Sequence, residues 1–189
     1  MVSAKYIKLL LIATAIVIVG IVFLNVAGRI FISEVIQEVE VATQEQEPLG
    51  ARVGARAPHW ELPDLQGNTI ALSDFLGKPL VITFWTTWNA MAADQITILD
   101  EYVSSNTQTL FEIVTINNQE DKSIVSNFIR RGEYQVQVLL DENGQVGELY
   151  QVRTLPVTYF LDADGAVKDI FVGVLSEAQL VEKTQAIIR

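Results

Sequence analysis

The sequence predicts a layered α/β domain carried behind one transmembrane helix, and three observations predict it. Leu9 to Gly28 is a 20-residue run without a charged side chain. At about 1.5 Å per residue it spans the ~30 Å core of a bilayer. Beyond residue 50, short apolar runs alternate with stretches whose apolar residues recur at helical spacing, the pattern of strands joined by packed helices. Leu80 to Trp85 (Leu-Val-Ile-Thr-Phe-Trp) reads as a strand buried on both faces, and it runs straight into helix formers.

Composition sets the limits. The chain has 189 residues, half of them hydrophobic. That leaves room for one span and one domain of about 140 residues, large enough to fold without covalent staples. A net charge of −10 argues against nucleic acid as a partner, since phosphate binding needs a basic face. The chain has no cysteine, which removes disulfides, thiol catalysis and thiolate metal sites together. An absent residue fits either redox compartment, so this says nothing about location.

Residues 1–8 carry Lys5 and Lys8 ahead of the span, and this places the N-terminus in the cytoplasm and the domain on the extracytoplasmic, periplasmic side of the cell membrane. Arg29 weakens that bias. A cleavable signal peptide ending near Val26-Ala27-Gly28 is the competing reading of 9–28. In residues 29–49, Ile32, Val35, Ile36 and Val39 keep helical spacing, with glutamates mostly on other faces. They predict an amphipathic stalk to about Val41, followed by a polar linker, Thr43 to Pro48. An apolar stripe on an exposed stalk must meet its own domain, the headgroup layer or a partner subunit.

The domain, 50–189, opens with a hairpin: Trp60-Glu61-Leu62 and Thr69 to Leu72 flank the turn Asp64-Leu65-Gln66-Gly67-Asn68. Gly77-Lys78-Pro79 turns the chain into the strand Leu80 to Trp85. Asn89 is the expected N-cap of a helix from Ala90 to about Ser104, where Ile96, Leu99, Tyr102 and Val103 form one face. A strand over Leu110 to Ile116, a helix over Ser123 to Arg131, a strand over Val136 to Leu140 and a short helix over Gln145 to Tyr150 follow. Pro156 must sit at the first residue of its strand or at a bulge. Asp162-Ala163-Asp164-Gly165 is a hairpin turn into Val167 to Val174. It lacks the remaining ligands of a calcium loop. Ser176 caps a last helix to Ile188.

Phe84-Trp85-Thr86-Thr87-Trp88 before a helix, with Gly77-Lys78-Pro79 upstream and Leu155-Pro156-Val157-Thr158 before a later strand, resembles the membrane-anchored thioredoxin-like redoxins of the ResA and TlpA group. The resemblance covers about Gly50 to Arg189. It implies a thioredoxin-like fold with a central mixed sheet, flanking helices and an N-terminal hairpin. It also implies a cis bond at Leu155-Pro156, facing the active site across a groove that takes extended peptide. The group's run continues Trp-Cys-x-x-Cys. In this chain the two cysteine positions fall on Asn89 and Ala92.

An amide has no redox couple, so thiol–disulfide exchange is closed to Asn89, and Ala92 offers nothing to exchange. No catalytic residue is expected. The expected binding groove is Trp85, Trp88, Asn89, Met91, Leu155 and Pro156, with the tryptophans as core and groove wall. His59, the lone histidine, supplies too few ligands for a metal, so neither metal nor cofactor is expected. The acidic pairs Asp100-Glu101, Glu120-Asp121 and Asp141-Glu142 read as solvated. The expected function is protein–protein binding by a membrane-tethered, non-catalytic accessory or assembly subunit of an electron-transport or cytochrome-maturation complex. Its partners would be the bilayer and other subunits, met through the transmembrane and stalk helix and one domain face. The alternatives are a thiol–disulfide oxidoreductase with its cysteines replaced, and a peptide-binding holdase or decoy.

Overall fold

The chain divides into two units, 1–48 and 49–189. The computed structural model describes residues 50–106 and 110–188. The transmembrane and stalk assignments lie outside the described residues. Among the described residues no helix is long and apolar enough to cross a membrane.

Two short strands, β1 (Glu61–Pro63) and β2 (Thr69–Ala71), pair antiparallel as the expected hairpin. Its turn is held by the Asp64 carboxylate, which accepts the N–H groups of Gln66 and Asn68 and the Asn68 side-chain amide. The Asn68 amide leads in holding the Asp64 pKa below the usual carboxylate value, against the opposing effect of burial and with the help of the backbone donors. A 3₁₀ turn at Leu72–Phe75 follows, not foreseen from sequence and tied by Ala71 N–H donating to Asp74.

The main sheet has five strands in the order β5-β4-β3-β6-β7. These are β3 (Leu80–Trp85), β4 (Glu112–Asn118), β5 (Gln137–Asp141), β6 (Val157–Leu161) and β7 (Val167–Val172). The first three are mutually parallel, β6 runs antiparallel to β3, and β7 runs antiparallel to β6 and so in the direction of the first three. The crossovers are α1 (Ala92–Ser105) between β3 and β4 and α2 (Lys122–Gly132) between β4 and β5. Both move the chain in one direction across the sheet, so the right-handed rule puts both on one face. The last helix, α4 (Glu177–Ile187), joins that core through Leu180 and Ile187. The hairpin and the short α3 (Gln145–Leu149) cover the other face.

Alternation along β3 decides which side chain enters which core. Leu80, Ile82 and Phe84 join the hairpin-side core with Trp60, Tyr150 and Tyr159. Val81 and Trp85 join the helix-side core with Ile96, Leu99 and Val125. Thr83 and Thr158 are register partners at the sheet centre, and their hydroxyls satisfy each other at 2.9 Å. Under the hairpin, Trp60 Nε1 donates to Tyr150 Oη, which donates to Pro58 O. Tyr159 Oη donates to Tyr150 O at 2.7 Å. Burial raises both phenols, Tyr159 to about 12.

Boundaries differ from the sequence reading where polar residues act as structure. β4 starts two residues later, because Leu110 is exposed, and runs on through Asn117 and Asn118. β5 starts at Gln137, since the N–H groups of Gln135 and Val136 are taken by the Asp100 carboxylate. β7 stops at Val172, before Gly173 with φ +107°. Asp100, read as solvated, is thus a loop anchor. Asp141, read the same way, is fully buried and accepts Gly147 N–H.

Candidate functional site

The strand directions bring the ends of β3, β4, β5 and β7 and the start of β6 to one end of the sheet. Ligands of open α/β sheets bind at such carboxyl ends. Trp85, Thr86 and Thr87 leave β3 there, and Leu155-Pro156 enters β6 through the expected cis bond.

Asn89 stands at the centre, though not as the helix cap expected. α1 begins at Ala92, because residues 87–91 form turns in which Asn89 N–H donates to Thr86 O and Ala92 N–H donates to Asn89 O. The Asn89 carboxamide makes two hydrogen bonds. Its Oδ1 accepts Met91 N–H at 2.9 Å, and its Nδ2 donates to the Leu155 carbonyl at 2.7 Å. The position that the redoxin pattern gives to a cysteine is therefore occupied by an amide bridging the strand-to-helix junction to the cis-proline segment. Ala92 is 1% exposed and packs in the helix-side core.

The two tryptophans divide sharply. Trp85 is 0% exposed and packs on Phe128 at 5.2 Å, so its placement as groove wall is corrected: its β3 position points it beneath α1 and α2. Trp88, in the turn, is 73% exposed. Met91 is exposed, Leu155 half-buried and Pro156 buried. Of the six residues expected to line a groove, Asn89 and Leu155 meet directly, Trp88 and Met91 flank Asn89 in the chain, Pro156 follows Leu155 and is buried, and Trp85 lies below.

Glu120, expected to be solvated, is half-buried instead. One carboxylate oxygen accepts Thr87 Oγ1–H, and the other accepts Thr87 N–H at 2.6 Å and Asn117 Nδ2–H at 2.8 Å. Glu120 thus pins the loop that carries Trp88 and Asn89. A carboxylate following a strand of neutral partners was the available signal, but an adjacent aspartate masked it as a charged pair. Gln95 on α1, fully buried, accepts Leu175 N–H through Oε1 and ties the helix to the β7–α4 loop. A cavity of about 520 Å³ opens beside Thr87, walled by Ile124, Phe128, Arg131 and Tyr134.

His59 is exposed, 3.4 Å from Glu61. Among the described residues no group of three or more His, Cys, Asp or Glu side chains is placed to hold a metal. Asp162 spends its oxygens on the hairpin turn. Burial raises its pKa, but the Ala166 N–H, Lys168 and the Asp164 N–H together bring it below the usual value.

Comparison with known proteins agrees with this architecture. Residues 53–170 match the AhpC/TSA family. The chain is 32% identical over 128 residues to the thiol-disulfide oxidoreductase ResA of Bacillus subtilis, covering 67% of this chain and 71% of the relative. It is 30% identical over 141 residues to ResA of Geobacillus kaustophilus, covering 75% and 81%. Among solved structures, a Chlorobium tepidum protein described as a thiol:disulfide interchange protein DsbE superposes with a TM-score of 0.68 at 22% identity. It covers 74% of this chain and 100% of that one, a likeness of fold. With a thioredoxin-like α/β sheet, a cis-proline before β6 and a family match across most of the domain, the chain belongs to the AhpC/TSA family of redoxins.

Proposed function

We propose that this chain acts by binding and not by catalysis. It is a thioredoxin-like domain tethered by residues 9–28 on the extracytoplasmic side of the cell membrane. There it serves as an accessory or assembly subunit of an electron-transport or cytochrome-maturation complex. One observation carries the reading: the two positions that the redoxin pattern assigns to cysteine hold Asn89 and Ala92, in a chain without cysteine. Thiol–disulfide exchange needs a thiolate to attack sulfur, and neither side chain supplies one.

What the site keeps is surface. Trp88 and Met91 are exposed apolar groups in the loop whose Asn89 bonds the half-buried Leu155, and exposed aromatic residues are the usual anchors of protein interfaces. The apolar stripe Ile32, Val35, Ile36, Val39 supplies a second contact surface.

Mild solubilisation of the full-length chain from its own membranes tests this. Recovery with other subunits is the expected result; recovery as a lone monomer overturns it. Dithiothreitol-dependent insulin reduction by the wild-type chain should stay at background, and reproducible turnover overturns the reading. The oxidoreductase names of the relatives favour one other reading, an enzyme whose cysteines have been replaced. A natural coding sequence with cysteine at both codons 89 and 92 would decide for it.

A further inference from the structure

We infer that the Asn89 carboxamide is a built-in competitor at the cis-proline segment, holding the backbone acceptor that an extended partner strand needs. This rests on the binding reading above and names how that site is regulated.

Strand addition to a protein edge uses main-chain N–H and C=O groups, and one extended residue presents both to the same side. A residue before proline is biased toward that extended region. Leu155 is such a residue, and its two groups differ in state. Its carbonyl accepts Asn89 Nδ2–H at 2.7 Å. Its N–H meets no acceptor among the described residues, nor do those of Arg153 and Thr154. The position is half open, with the donor free and the acceptor taken.

The occupant is of the right chemistry to be exchanged. A carboxamide N–H and a peptide N–H are donors of one kind, so a partner strand that displaces Asn89 leaves the Leu155 carbonyl satisfied. Asn89 is itself partly exposed, so its released amide can turn to water. The bond from Met91 N–H to Asn89 Oδ1 aims the amide and makes its hold on Leu155 cheap in side-chain entropy. A side chain without a donor at position 89 would leave the acceptor open to any strand.

The surroundings define the partner. Trp88 and Met91 lie on the helix side, 73% and 43% exposed. Val172, 58% exposed at the end of β7, lies on the other, next to the point where Gly173 N–H donates to Pro156 O. Trp88, Met91 and Val172 make the flanks apolar, the exposed Arg153 two residues before Leu155 is the one charge on the pairing segment, and the chain as a whole carries −10. The fitting occupant is an extended segment whose central β-branched residues meet the apolar flanks and whose cationic ends lie beyond Arg153, in the field of the acidic chain.

The test uses the full-length chain in mild detergent and a fluorescein-labelled peptide, acetyl-Lys-Val-Thr-Val-Thr-Val-Lys-amide, read by anisotropy. Asn89→Ala should bind it roughly three- to tenfold tighter than wild type, the worth of one net hydrogen bond. A backbone N-methylated analogue should lose that gain. In the wild-type chain, which needs no variant, the Asn89 side-chain amide protons should exchange slowly when free and faster when peptide saturates. Equal affinity for wild type and Asn89→Ala, or a gain the N-methylated peptide keeps, overturns the competitor role while leaving copurification with partners untouched. Failure of the peptide to bind either protein also overturns it, by removing Leu155 as a pairing position.

Discussion

Restoring sulfur at the junction tests the site most directly. In the double variant Asn89→Cys, Ala92→Cys the two thiols sit three residues apart across a turn closed by Ala92 N–H and Asn89 O at 2.9 Å. A turn of that kind keeps its end Cα atoms under about 7 Å apart, inside the reach of a disulfide. Losing both carboxamide hydrogen bonds costs about 2 kcal/mol, and a sulfur at the 1% exposed position 92 costs about 1 more. Closing so short a loop returns about 2 kcal/mol. The reduced variant should therefore lie about 3 kcal/mol below wild type and the oxidised one about 1, which urea denaturation with and without reductant resolves. Thiol titration has no background, because the chain has no other cysteine. Two free thiols that persist under oxidant, or an oxidised form no more stable than the reduced one, would refute the geometry given for residues 89–92.

Glu120→Ala strips three hydrogen bonds from the Thr87 loop and should destabilise the domain by about 2–3 kcal/mol, with faster hydrogen exchange at residues 86–91; Glu120→Gln should recover part of the loss. Trp85→Ala empties a fully buried site and should cost about 3–5 kcal/mol by denaturation, whereas Trp88→Ala should leave stability almost unchanged and weaken partner recovery. The depressed carboxyls of Asp64 and Asp162 contribute stability present above the unfolded value and lost as pH falls through the folded one; melting temperature should drop below about pH 4, less steeply in Asp162→Asn. Tyr159 works in the opposite direction: its phenol is held neutral to about 12, so its contribution is whole below pH 10 and is lost between the two values, and Tyr159→Phe should flatten that alkaline slope.

The fold was legible because apolar periodicity and turn residues agree with one another along most of the domain. Leu80 to Trp85 has no polar side chain but Thr83, and Ser176 with Gln179 forms the expected cap. The hairpin announces itself through Asp64 and Gly67. Errors gathered where a polar side chain serves a distant backbone. Asp100, Glu120 and Asp141 look like surface charge in sequence, and their donors lie on other elements or beyond the next turn. Periodicity carries no trace of such bonds. The identity of residue 89 was readable, but its bond to Leu155 spans 66 positions and belongs to the fold. Trp85 shows the converse limit, since motif likeness marks it as near the site while strand alternation decides that it faces the core.

The buried polar side chains around the strand-to-helix junction, Thr83, Thr86, Gln95 and Thr158, are all neutral hydroxyls or amides. The carboxylate that bears on this floor is Glu120, which stands behind the rim and spends its oxygens on Thr87 and Asn117. Charge therefore enters this end through an anchor at the back of the loop, while the face offered to a guest is made of apolar side chains and one neutral amide.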